Sequence, residues 1–395
     1  MGVNIVRKGI NKYRVAYYFM VFFFLISFSK FHKNAIFHVA NNVTAIVLFL
    51  IYMIVYLQKK IRLTSINIIS IVYLVYIYTV GYFLGTLSSV SEPFIIITLV
   101  LFTCYSVHNH EDDFFLAAII FYVFFGGWQL YLEFTHPYLY SMFDSEQTDW
   151  LIGGKNYVVR TFLPGMMFIL LYSAKKQLSI FNPIVLLPLL ILTGTIILAT
   201  SATGILGVLI FIVLAILFRK GAPRYISINL FLIGTIAVYL MILIFNIQER
   251  FEDFLILLGK NQSLSVRTEV WKYAIKGFLS NPLFGLGYGA DVIGDVSDYH
   301  HAHQYWLNSL MTTGIIGTAM QLLIYLKANK NLNKQGNKIP EIRILIITIA
   351  SFLFMGIDES LANSYMLIPI LNLSGINFNK KTLYYNGKSK KVPVQ

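Results

Sequence analysis

One cysteine, ten prolines and few charges mark this chain of 395 residues; only 12% of it is Asp, Glu, Lys or Arg. A lone Cys104 excludes an intramolecular disulfide framework, so cysteine usage says nothing about redox compartment. The low charge, set against 57% hydrophobic residues, excludes an ordinary soluble domain. Internal repeats and low-complexity segments are missing as well. The period-two alternation of a membrane β-barrel is also missing. What the chain has instead is a succession of apolar runs of roughly 17 to 25 residues, each long enough to cross a bilayer core of about 30 Å. Backbone polar groups in lipid must be satisfied within the segment, so these runs are expected to be helices.

The expected fold is all-α: a single polytopic membrane domain over 1–395 with about 12 transmembrane helices. The expected spans are Val15–Ser29, Ile36–Leu57, Ile66–Thr86, Phe94–Val107, Phe114–Phe134 and Tyr157–Ser173, followed by Phe181–Thr200, Gly204–Phe218, Tyr225–Asn246, Tyr305–Leu326, Ile344–Ile357 and Leu361–Ile376. The N-terminal basic stretch and apolar run resemble a signal peptide, but no small-residue cleavage site follows, so an uncleaved first span is expected. With both termini inside, 22 of the 31 basic residues fall inside, against 4 of the 18 acidic ones. This is the positive-inside distribution, and it accounts for the net charge of +13 without a nucleic-acid partner. The basic inner segments, including the tail 377–395, are expected to meet the cytoplasm and anionic headgroups. The segment Lys327–Arg343 reads as a basic inward loop.

Two outward loops interrupt this pattern. Thr135–Asn156 carries Asp144, Glu146, Asp149, Trp150, Gly153, Gly154 and Lys155, and the longer loop 247–303 carries most of the polar chemistry. Loops that long inside a compact protein are usually functional. In the second, Ser265 is placed to cap a helix from Val266 to Leu279, ended by Asn281-Pro282. Arg267 and Trp271 share a face of that helix. The apolar stripe Val270, Ala274 and Phe278 suggests that it lies along the membrane surface.

The chemistry-bearing residues each have two readings. Gly285, Gly287 and Gly289 beside a cation can cradle a phosphate, or simply make a turn; the spacing fits neither a Walker loop nor a dinucleotide fingerprint. His300, His301 and His303, downstream of Asp291, Asp295 and Asp298, suggest a metal site, but adjacent histidines diverge and no second cluster completes a ligand set, so no metal is expected. His303 sits where a span begins and suits a general base or an orienter of a hydroxyl; it equally suits a headgroup contact. Arg160 lies near the outer end of a span, as an anion contact or as a side chain reaching the interface. Asp358 and Glu359 read as a cation partner, a sugar contact or a solvated turn.

Arg267-x3-Trp271, then Pro282-x2-Gly285-x-Gly287-x-Gly289, then His303-Gln304-Tyr305-Trp306-Leu307 and Gly314-x2-Gly317 form an ordered set. It resembles that of the O-antigen polymerase and O-antigen ligase superfamily, the Wzy/WaaL-like membrane glycosyltransferases. Gly154-Lys155-Asn156 is similar to an element that opens a middle span in that family. Two positions depart from the pattern: Gln304 stands where Asn is usual, and Ala202 where many members carry Arg. The resemblance implies an undecaprenyl-pyrophosphate-linked oligosaccharide as substrate at the outer face of the cytoplasmic membrane, and a metal-independent transfer without cofactor. It implies Arg267 against the pyrophosphate and His303 at the acceptor hydroxyl. Arg160, Trp271, Gly285, Gly287, Tyr288 and Gln304 then contact substrate. Membrane lipids, a chain-length regulator and a flippase are the implied partners. Polymerisation of repeat units is the leading expectation and ligation of finished glycan the sibling alternative. A lipid-linked sugar transporter is the rival of another class, and it predicts a two-half symmetry that the sequence lacks.

Overall fold

A computed structural model describes residues 12–28, 35–59, 63–87, 92–136, 151–152, 155–199, 202–217, 263–290, 302, 304–336 and 340–355, with isolated positions between 230 and 241. The described residues are helical, with no strand among them. The helices are α1 (Lys12–Phe28), α2 (Ala35–Lys59), α3 (Ser65–Phe83), α4 (Glu92–Asn109), α5 (Glu111–Thr135), α6 (Lys155–Lys176), α7 (Pro183–Leu198) and α8 (Ala202–Leu217). Later in the chain come α9 (Ser263–Ser280), α10 (Tyr305–Gly336) and α11 (Pro340–Met355). Among the described residues, four helices carry stretches long and apolar enough to cross a membrane: Ser65–Phe83, Glu111–Thr135, Val158–Lys176 and Tyr305–Leu332; several shorter apolar helices accompany them. The expected spans Tyr225–Asn246 and Leu361–Ile376, and the basic tail 377–395, lie outside the described residues or nearly so.

α6 forms the centre of the bundle, packed on α5, α7 and α11, and from Thr161 to Leu171 every residue is buried. Close helix approach needs small residues, and Gly165 supplies one: a Cβ there would come within 2.6 Å of the Tyr122 ring. Aromatic rings pack this core as well: Phe114, Phe115 and Phe168 are in mutual contact, and Tyr122 stacks on Phe168.

Charges collect at one end. Arg14 meets Asp113 at 2.6 Å, Lys175 bridges Glu111 and Asp112 at 2.6 Å each, and Lys176 adds a second contact to Asp112 at 2.9 Å. The first turn of α5 is thereby tied to the start of α1 and the end of α6. This is also the end at which α3 begins, because Asn67 reaches Cys104 late in α4. All these groups fall on the inner side of the expected topology, so the alternation of spans and the ion pairs agree. At the opposite end, Ile152 donates its N–H to Gln129 Oε1 (3.1 Å) and Gln129 donates to the buried Glu133 carboxylate (2.9 Å). This chain of bonds fastens the segment before α6 to the last turns of α5.

The expected inward loop Lys327–Arg343 is corrected. α10 continues to Gly336, because Ala328, Asn329 and Leu332 repeat at helical spacing and are buried, while Lys330 takes the exposed side. α9 begins at Ser263, so Ser265 lies inside the helix and does not cap it. It ends at Ser280, immediately before the expected Asn281-Pro282 stop.

Candidate functional site

The long polar interruption folds against α10, and its register is set by three contacts. Trp271 Nε1 donates to Ala302 O at 2.9 Å, just before α10 begins. A Cβ at Gly277 would lie 3.2 Å from Met311. Ile315 donates its N–H to Pro282 O at 2.9 Å. Rising residue numbers on α9 therefore match rising numbers on α10, and the two helices run parallel. α9 descends alongside the first half of α10 instead of lying along the membrane surface. The stripe Val270, Trp271 and Ala274 is buried with Ala302 and Met311, and Leu307 packs against it. An apolar stripe satisfies a protein neighbour as well as it does a lipid one, and here the neighbour is α10.

The turn after α9 meets a break in α10. Gly314 has φ 64° and ψ −169°, a conformation open only to glycine. The break lies nine residues into α10, about 14 Å along the helix from Tyr305. Non-helical backbone within a membrane bundle must find its hydrogen bonds within the protein, and five backbone groups around this break do so. The carbonyls of Met311 and Thr312 accept from the N–H groups of Leu286 (2.9 Å) and Gly287 (3.0 Å). Tyr76 Oη donates to Thr313 O at 2.9 Å. In return the N–H groups of Ile315 and Ile316 donate to Pro282 O (2.9 Å) and Leu283 O (3.3 Å). Two irregular backbones thus satisfy each other across a seam with no room for side chains. A Cβ at Gly285 would stand 2.6 Å from Gly314 N, and one at Gly314 would stand 2.6 Å from Gly285 N.

The chain then turns outward again to the end of α3. Tyr288 is buried against Tyr78, with ring centroids 5.5 Å apart, and its carbonyl accepts from Thr86 Oγ1 at 3.2 Å. Thr86 also lies where a Cβ on Gly287 would have to sit. α9 and its turn thus form a re-entrant hairpin, clasped between α3 and α10. The glycine stretch spends its N–H groups on this clasp: Gly285 donates to Asn281 O, and Leu286 and Gly287 donate to α10.

The start of α10 is stitched to α9 through a single residue. Ala302 is buried, its carbonyl held by Trp271 and its N–H donated to Asn308 Oδ1 at 3.2 Å. Gln304 is buried and its side-chain oxygen accepts from Leu307 N, the role of a helix N-cap. Below it Ser309, Thr313 and Thr318 share hydroxyl contacts, and Gln321 donates to Tyr73 on α3. Of these, only the Gln321–Tyr73 bond crosses between helices, and such a bond holds membrane helices together at roughly 0.6 kcal/mol.

Of the residues singled out from the sequence, Trp271, Gly285, Gly287, Tyr288 and Gln304 come together here. Arg267 lies at a helical position on α9, one turn outward of Trp271, and its side chain is outside the described residues. His303 is outside them too, between the described Ala302 and Gln304, as are His300, His301, Asp291, Asp295, Asp298, Asp358 and Glu359. Among the described residues no three His, Cys, Asp or Glu side chains come together. Arg160 is half-buried in α6, which packs mainly on α5, α7 and α11 among the described helices. Sequence reasoning passed over Asn308, Thr86 and Tyr76. Asn308 had a signal, an amide one turn after Gln304 in an apolar run; the other two act through tertiary contact alone.

No curated protein matches the chain. Residues 187–322, from α7 through the clasp to the middle of α10, match the family described as O-antigen ligase (Wzy_C). The match covers the ordered motif set and the re-entrant hairpin that those motifs build, and with the multi-pass helical fold it supports a place for this chain in the O-antigen ligase and polymerase superfamily.

Proposed function

We propose that this protein joins lipid-linked oligosaccharide repeat units into a surface polysaccharide, working at the outer face of the cytoplasmic membrane. The observation that carries the proposal is the Trp271–Ala302 bond. It fixes α9 against the start of α10, so that position 267, one turn outward on α9, and position 303, next to Ala302, belong to one stitched unit.

In this reading the Arg267 guanidinium neutralises the pyrophosphate of an undecaprenyl-linked donor, and His303 takes the proton of an acceptor hydroxyl. The acceptor oxygen forms a bond to the anomeric carbon as the carbon–oxygen bond to phosphate breaks, and undecaprenyl pyrophosphate departs with its electron pair. The donor is already activated, so the scheme uses neither a nucleotide sugar nor a metal. Gly285 and Gly287 act by holding the hairpin, Trp271 and Gln304 by setting the geometry of residues 302–304, and Tyr288 by anchoring the turn. Arg160, on α6, would offer an additional anion contact.

A second reading, transfer of a finished glycan to an acceptor lipid, is favoured by the family description, which names a ligase. Deleting the gene and resolving the surface glycan by gel separates the two. Single repeat units on the acceptor support the polymerase, whereas long chains held on the carrier lipid support the ligase. Lipid-linked repeats confined to the inner leaflet would point to transport and overturn both. Arg267→Ala and His303→Ala are each expected to abolish transfer while the protein still inserts in the membrane. Near-normal glycan length in both variants would remove the site assignment.

A further inference from the structure

The outward face of α9 carries two cations that the proposed chemistry does not use. Lys272 and Lys276 are one turn apart and exposed, and neither has an ion-pair partner among the described residues. At 100° per residue they fall, with exposed Leu279, on one arc of the helix, roughly opposite the arc of Val270, Trp271 and Ala274 buried against α10. By sequence the next charged position outward on this arc is Glu269, which leaves the arc net cationic. The descent of α9 sorts the arc by depth. Lys272 sits beside Trp271, level with Ala302; Lys276 is one turn deeper; Leu279 follows, and then Leu283 and Phe284 of the turn, both exposed, beside Ile315 and Ile316. Cations at the edge of the apolar band with bare apolar side chains beneath them match, group for group, the phosphate and acyl chain of a lipid.

We propose that Lys272, Lys276, Leu279, Leu283 and Phe284 form a seat for an anionic phospholipid of the leaflet into which the hairpin descends. The occupant is a structural phospholipid and not the sugar donor, because the lysine arc turns away from the arc that contains position 267 and from residue 302. A phosphate held there fixes how deeply α9 sits. The inference stands on the register of α9 and α10 and is independent of the reaction proposed above.

The test uses the full-length protein with Leu279 replaced by a photo-reactive phenylalanine analogue, in vesicles of equal phosphatidylglycerol and phosphatidylcholine. The cross-linked lipid is identified by mass spectrometry. Phosphatidylglycerol is expected to be captured about tenfold over phosphatidylcholine, a preference that K272Q/K276Q removes, as two lysines near an anionic surface allow. Equal capture of the two lipids, or a preference unchanged in K272Q/K276Q, would overturn the proposal. So would displacement of phosphatidylglycerol by added undecaprenyl pyrophosphate at substoichiometric amounts, because the face would then belong to the donor. A second reactive analogue at exposed Phe124 on α5, away from α9, should capture both lipids alike in both backgrounds, which separates loss of the seat from loss of the fold.

Discussion

Replacing Gly314 with alanine tests the clasp most directly. Two penalties add. An L-residue at φ 64°, ψ −169° occupies a region almost reserved for glycine and costs about 1–3 kcal/mol. The new methyl would also overlap Leu283 O and lie 2.5 Å from its carbonyl carbon and 2.6 Å from Gly285 N. Relieving an overpacked contact costs about 1–3 kcal/mol more. The hairpin must part from α10, and the exchanged bonds to Pro282, Leu283, Met311 and Thr312 weaken with it. Gly85→Ala is the internal control: its φ is 68°, yet an added Cβ meets nothing within 4 Å, so it bears the backbone strain alone. Cys104, half-buried in α4 and away from the clasp, allows unfolding of detergent-solubilised protein to be followed with a thiol-reactive dye. At on the order of 2 °C per kcal/mol, Gly314→Ala should lower Tm by roughly 5–10 °C and Gly85→Ala by about 2–4 °C. Equal shifts for the two variants would refute the argument that backbone contact across the seam demands glycine.

Trp271→Phe keeps the ring in its apolar cluster and removes the donor to Ala302 O; leaving that buried carbonyl unpaired should cost about 1–3 kcal/mol. Gel analysis of surface glycan should show transfer falling more than membrane abundance does. Tyr76→Phe removes the donor to Thr313 O, an interhelical bond worth roughly 0.6 kcal/mol in this setting, and should shift Tm by no more than a degree or two. Lys175→Met strands Glu111 and part of Asp112, and about 2 kcal/mol should be lost in thermal unfolding at low salt; an unchanged Tm would show the inner ion pairs to be ornamental. Gln129→Leu orphans both Ile152 N–H and one Glu133 oxygen. It should raise proteolysis within 137–150 before it lowers global Tm by the equivalent of about 2–4 kcal/mol.

Where a helix starts was legible to within a few residues because the code is local. Tyr305 opens α10 as expected, where the polar stretch gives way to an apolar run, whereas α6 opens at Lys155, two residues before the expected Tyr157, and α9 at Ser263, three before the expected Val266. That Arg14, Lys175 and Lys176 share one end of the bundle was legible from the alternation of spans, and their ion pairs with the first turn of α5 bring them together there. The direction of α9 was not legible. Val270, Trp271 and Ala274 mark an apolar stripe, but period alone does not say whether lipid or protein covers it. Nor was the break at Gly314, since its cause lies about thirty residues earlier in the chain, in the carbonyls of Pro282 and Leu283. The glycine spacing looked like a ligand cradle because glycine serves any close backbone approach; the structure shows which backbone approaches. The roles proposed for Arg267 and His303 come from the sequence; the structure adds the bond from Trp271, one turn along α9 from 267, to Ala302.

The clasp also implies an order of assembly. The hairpin is gripped by Gly81 and Thr86 near the end of α3 and by Met311–Ile316 of α10, segments more than two hundred residues apart in the chain. During synthesis α3 is in place long before α10 emerges, and α9 emerges before the helix that receives it. The hairpin therefore has no finished berth when it is made. Its closure against both walls can only follow the emergence of α10. Defects in the glycine seam should accordingly yield protein that is fully inserted, normally abundant and never competent.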